Sequence, residues 1–86
     1  AERLAVLAEE CGEVIQIVGK ILRHGYSSGH PDGGPDNRHL LEIEVGDLLA
    51  AVDLMTDGSD DLAHQEIEDA RDHKLERVGK YLHHQS

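Results

Sequence analysis

Two short acidic stretches carry the residue types and spacing that could do chemistry: Glu9-Glu10-Cys11-Gly12-Glu13 and, further on, Glu44-Val45-Gly46-Asp47. Carboxylates three residues apart share one side of a helix. Two such helices packed together could converge their oxygens on one or two hard cations, for which all-oxygen ligation suits Mg²⁺ or Mn²⁺. The competing reading is acids on a solvated helix face, and it depends on where the surrounding apolar residues fall.

The elements that must position these acids are read from periodicity. At 100° per residue, Leu4, Leu7, Cys11, Val14, Ile15, Val18, Ile21 and Leu22 fill one broad arc of a helix running from about Glu2 to His24, with Gly25 as its stop. Glu10 lies at the border of that arc, Glu13 is further round beside Ile17 and Lys20, and Glu9 points nearly opposite. A second helix, capped by Asp36 or Asn37 and running to about Asp57 before Gly58, gathers Leu40, Leu41, Val45, Leu48, Ala51, Val52 and Met55 on one face. Glu44 falls inside that face and Asp47 between Leu40 and Leu54, so two acids point towards the core. Burying ionised carboxylates is costly unless something positive accompanies them, and several together repel one another. Few basic residues lie nearby in sequence, so a bound divalent cation is the simplest explanation.

Ser59 is a plausible cap for a third helical region, with Asp60 and Asp61 in its first turn and Leu62, Ile67, Ala70, Leu75, Val78 and Leu82 on its apolar side. Their spacing fits one bent helix or two short ones. Between the first two helices, Gly25 to Asn37 has four glycines, two prolines and no apolar period, which predicts a long loop. It could close over a substrate or be a mobile surface connection. Gly12 and Gly19 inside the first helix predict close packing against another helix; at Gly12 the alternative is room for a ligand beside the acids. The whole pattern is all-α.

At 86 residues, with no Phe or Trp and two Tyr, the chain should be one domain with a thin core of Leu, Ile, Val and Ala. A helical bundle completed by oligomerisation is expected. Eighteen acidic residues against 8 Lys and Arg give a net charge of −10, which argues against binding nucleic acid polymers or anionic membranes. A phosphate ligand is compatible with this charge if metal ions stand between it and the carboxylates. No apolar run approaches a membrane span and no signal peptide is visible, so a cytoplasmic protein is expected. The chain begins at Ala1 rather than Met, so leading residues are expected to be missing. Cys11, the single cysteine, is expected to be an inert core thiol.

LAEECGE followed on the next helix by LEIEVGD resembles the MazG-like, all-α nucleoside triphosphate pyrophosphatases, whose signature is two adjacent Glu, a third three residues on, then Glu and, three residues later, Asp. Every signature position is filled and the helix order matches over nearly the whole chain, 1–86, with loop 25–37 towards the upper end of the family's usual gap. The short length and the ending KYLHHQ look like single-domain members from bacterial viruses. The resemblance implies hydrolysis of a nucleoside triphosphate between the α- and β-phosphates, giving the monophosphate and pyrophosphate. It implies Glu9, Glu10, Glu13, Glu44 and Asp47 as catalytic acids, with Glu10, Glu13, Glu44 and Asp47 as Mg²⁺ ligands. Glu9 would orient or deprotonate the attacking water, reaching the site through another helix or subunit. It further implies a homodimer or homotetramer and a role in control of the deoxynucleotide pool, with a lean towards purine substrates.

Lys20 and Arg23, and on the last helix Lys74, Arg77 and Lys80, are candidate phosphate contacts, against the plainer reading of solvated cations. Tyr26 and Tyr81 are the aromatic candidates for stacking on a base. A histidine metal site is disfavoured, because no two of the seven histidines stand at i, i+4 and His83 and His84 are adjacent. A calcium loop from Asp53 fails at Met55 and His64. A di-iron bundle would need Glu-x-x-His motifs, and the nearest matches, Asp36-x-x-His39 and Asp61-x-x-His64, lie outside the acid stretches. The main alternative is a non-catalytic acidic bundle that binds a nucleotide or a partner.

Overall fold

Three helices form: α1 Glu2–His24, α2 Asn37–Thr56 and α3 His64–Gln85. This computed structural model describes the backbone of residues 1–85 and the side chains of residues 1–82, so the side chains of His83 and His84 lie outside the described residues. No strand occurs among the described residues, and the fold is all-α as expected.

The helix ends follow from local chemistry. Gly25 adopts φ 89°, open to glycine at little cost, and its N–H donates to the Ile21 carbonyl at 2.7 Å, closing α1. Asp36 is extended, and its Oδ1 accepts from the His39 N–H at 3.0 Å, so Asp36 caps α2. At the other end of α2 the N–H groups of Asp57 and Gly58 both donate to the Asp53 carbonyl. Ser59 does not open the third helix, contrary to expectation. Its Oγ donates to the Leu54 carbonyl at 2.9 Å, which spends the hydroxyl on closing α2. Asp60, Asp61 and Leu62 therefore belong to the connection, and α3 is one continuous helix from His64.

α1 and α2 form an antiparallel hairpin and are the pair that packs extensively among the described residues. Ile17, Ala51 and Met55 are its buried apolar side chains, at 8%, 2% and 1% exposure. The covered side of α1 is Leu7, Glu10, Glu13, Val14, Ile17 and Ile21. That face is turned roughly 80° from the centre of the apolar arc, at 100° per residue. The other flank of the arc is left open: Leu4, Cys11, Ile15, Val18 and Leu22 are exposed, Ile15 at 70% and Leu22 at 82%. Cys11 is thus a surface thiol rather than a core one. On α2 the expected face is covered except at Val45.

α3 packs little on the hairpin. It supports itself with pairs one turn apart, His64 to Glu68 at 2.9 Å and Gln65 to Asp69 at 2.9 Å. A fork from Arg3 to both oxygens of Asp61, at 2.7 and 3.2 Å, ties the start of α1 to the segment leading into α3. The chain measures 44 × 39 × 15 Å, and its short dimension is little more than one helix with its side chains, about 10–12 Å. Its accessible surface is 6703 Å², where a compact monomer of this mass presents about 5,000 Å².

Candidate metal centre

The antiparallel hairpin brings the two acidic stretches to one level. Glu10 sits in the middle of the covered side of α1, and Glu44 faces it from α2, one turn before Leu48 and two before Ala51. Glu10, Glu44 and Asp47 each offer a carboxylate oxygen, and these oxygens lie within 4.8 Å of one another. Glu10 and Glu44 are half-buried; Asp47 is exposed, a departure from the expectation that both α2 acids point into a core. The physical reason is the thinness of the chain, because among the described residues no further element packs extensively on the hairpin.

Electrostatics show how closely the acids are gathered. Partial burial, then the charges of Asp47, Glu9, Glu44 and Glu13, push the Glu10 carboxyl above the usual Glu range. Partial burial, then Glu13 and Asp47, do the same to Glu44. Glu13 therefore belongs to the same negative field, although it is not one of the three whose oxygens converge. Glu9 is exposed on the outer side of α1 and acts on Glu10 as a neighbouring charge. Among the described residues, the charges that act on Glu10 and Glu44 are all negative.

The donor set fits a hard divalent cation. Mg²⁺ is held by oxygen ligands about 2.1 Å away, and three carboxylates whose oxygens lie within 4.8 Å of one another would reach a shared ion by side-chain torsions. The rival acid pairs are otherwise engaged, since Asp36 caps α2 and Asp61 holds Arg3.

The sequence-picked cations are not gathered at this cluster. Lys20 is seven residues beyond Glu13, about 10 Å further along α1, and Arg23 continues the same side as the wall of a shallow groove with Ile15, Gln16 and Gly19. Lys74 and Arg77 are exposed on α3 and are not among the charges acting on Glu10 or Glu44. Tyr26 has one ring face covered by the Arg38 guanidinium, 4.8 Å from the ring centroid, and Tyr81 is exposed on α3. Sequence reasoning passed over Ser28 and His30, which with Lys20 and His24 wall a cavity of about 330 Å³ at the loop end of the hairpin. A loop without apolar period carries no signal for such a wall.

An all-α hairpin that gathers Glu10 from one helix and Glu44 and Asp47 from the next defines a class of helical proteins with a carboxylate cluster able to hold a cation. Within that class, the chain belongs to the MazG nucleotide pyrophosphohydrolase domain family, whose model matches residues 2–82. No curated protein and no solved structure shows a significant match to the chain. Membership carries nucleotide pyrophosphohydrolysis as the general activity, and the family is generally dependent on a divalent metal. Among the described residues, no helix is long and apolar enough to cross a membrane.

Proposed function

We propose that this chain is the subunit of a Mg²⁺-dependent pyrophosphohydrolase that converts a (deoxy)nucleoside triphosphate and water to the monophosphate and pyrophosphate. The observation that carries the proposal is the convergence of Glu10, Glu44 and Asp47 with uncompensated negative charge around them. Glu10, Glu13, Glu44 and Asp47 would hold the cation, with Mn²⁺ as a substitute. When bound, it would neutralise phosphate charge and lower the pKa of a coordinated water.

The chain's own residues supply the rest. Water attacks the α-phosphorus, the bond to the α,β-bridging oxygen breaks, and that oxygen leaves with the pyrophosphate. Glu9 orients the water or accepts its proton from a neighbouring subunit, because its side of α1 faces away from the hairpin's own interface. Lys20 and Arg23 meet phosphate oxygens in the same groove, while Lys74 and Arg77 reach phosphate only in another copy of the chain. The open flank of α1 and the excess surface support a homodimer or homotetramer. A cytoplasmic nucleotide-pool role, with a purine deoxynucleotide as substrate and a phage-type origin, completes the reading.

The test is incubation with each ribo- and deoxynucleoside triphosphate and Mg²⁺, with the products resolved into pyrophosphate and orthophosphate. Monophosphate plus pyrophosphate is the expected result and identifies the substrate. Binding of Mg²⁺ without turnover of any triphosphate would sink the enzyme in favour of a binding module.

A further inference from the structure

The cavity at the loop end of the hairpin lies in line with the carboxylates. Leu40, in its wall, is one turn before Glu44 on α2, about 6 Å along the axis, and Lys20 is about 10 Å beyond Glu13 on α1. Cluster and cavity thus lie within about two turns of one another along the same pair of helices. With a volume of about 330 Å³, the cavity is at the small end of the range for small-molecule sites, about 300–1,000 Å³.

The loop that walls it is fastened on both sides. The Asn37 N–H donates to the Ser28 carbonyl at 2.8 Å, the Arg38 N–H to the Tyr26 carbonyl at 2.9 Å, and the buried Asn37 side chain donates to the Gly25 carbonyl at 3.1 Å. Gly29 and Asp36 form a bridge, and the Gly33 N–H closes a turn onto the His30 carbonyl at 3.0 Å. The cavity is therefore preformed, so a ligand would not have to order it.

Its chemistry separates two possible occupants. Terminal phosphates call for several cations, yet Lys20 is the one permanently charged group in the wall. Pro31, Pro35 and Leu40 offer apolar surface, and His24, His30 and Ser28 offer directional hydrogen bonds, the combination that suits a flat heterocycle. The Asp32 N–H donates to His30 Nδ1 at 3.2 Å. The Asp32 carboxylate lies 3.5 Å from the same nitrogen, so Nδ1 is engaged and Nε2 is the ring atom left to meet a base edge.

We infer that this cavity receives the nucleoside end of the triphosphate, with His24 and His30 reading the base and Lys20 at the phosphate side. This rests on the pyrophosphohydrolase reading above. Two experiments test it. In the metal-free protein, nucleoside 5′-monophosphates should shift the NMR amide signals of Gly29, Gly33 and Asn37, and inorganic pyrophosphate should not. In steady-state kinetics, His24→Ala and His30→Ala should raise KM for the preferred triphosphate and shrink the ratio of kcat/KM between the best and worst base by about tenfold, with an unchanged thermal melt. Shifts with pyrophosphate alone, or variants that lower kcat/KM equally for every base, would overturn the assignment. If no triphosphate is hydrolysed but monophosphates still move those amides, the enzyme reading fails and the cavity stands as a nucleotide site.

Discussion

Glu44 has the most to lose from its position, since it is half-buried on the hairpin's inner side and pressed by Glu13 and Asp47. Glu44→Gln removes a charge without removing volume. It should abolish turnover while leaving the metal-free protein as stable or more stable, measured by thermal melting; a clear loss of stability would instead make Glu44 a structural partner. The pH dependence has a definite sign. Glu10 and Glu44 have folded-state pKa values above the ordinary one, so they work against the fold in full above those values. The handicap disappears as pH falls through them towards the unfolded value, about 4.3. Asp61 is the opposite case: its hydrogen bond from Arg3 lowers its pKa, so its contribution is present above the unfolded value and is lost as pH falls through the folded one. Melting of the metal-free protein should therefore rise as pH falls from neutral towards the ordinary carboxylate range and fall in stronger acid. Glu44→Gln should flatten the first limb, Asp61→Asn the second, and saturating Mg²⁺ should also remove the first. A Glu44→Gln variant with the full rise would place its source elsewhere.

The same acids show what an element can and cannot announce from its own sequence. The bounds of α1 and the cap of α2 were legible because Gly25 and Asp36 act locally, through a positive φ and a side-chain bond to the His39 N–H. Ser59 misled because a hydroxyl beyond a helix end can close the preceding helix as readily as it can cap the next. The facing side of α1 was misjudged by roughly 80° because periodicity weighs every apolar residue alike, and α2 covers only one flank of the arc. The juxtaposition of Glu10 with the i, i+3 pair Glu44 and Asp47 was legible and survives that rotation, whereas Glu13, expected with them, is outside the converging three. The cavity wall was not, since it depends on backbone bonds among Tyr26, Ser28, Asn37 and Arg38. Gly12 puts the two-surface explanation of α1 to a test. A Cβ built there meets nothing within 4 Å, so Gly12→Ala should stabilise a lone chain by about 1 kcal/mol through helix propensity. Lower stability, together with a smaller assembly in light scattering, would mean that a second copy packs against Gly12.

At the scale of the molecule, a 15 Å layer with 6703 Å² of surface exposes more than a compact monomer of its mass. Its excess over a compact monomer, roughly 1,700 Å², is about twice the 800 Å² that each partner gives up in a standard interface. The open α1 flank of Leu4, Ile15, Val18 and Leu22 is the surface to cover. Light scattering should report a dimer or tetramer, and the melting temperature should rise with protein concentration. Ile15→Asp and Leu22→Asp, at positions exposed in the single chain, should dissociate the assembly; a wild-type monomer whose melting is independent of concentration would refute it. The isolation of α3 has a further consequence, for turnover of the protein. A helix held mainly by its own side-chain pairs opens at the low end of a chain's range of local stabilities. An unassembled copy therefore offers α3 as the first segment a protease can thread and cut, whereas a copy whose α3 is docked on a neighbour does not. The amount of enzyme would then track the amount assembled, and surplus single chains would be cleared without a dedicated signal.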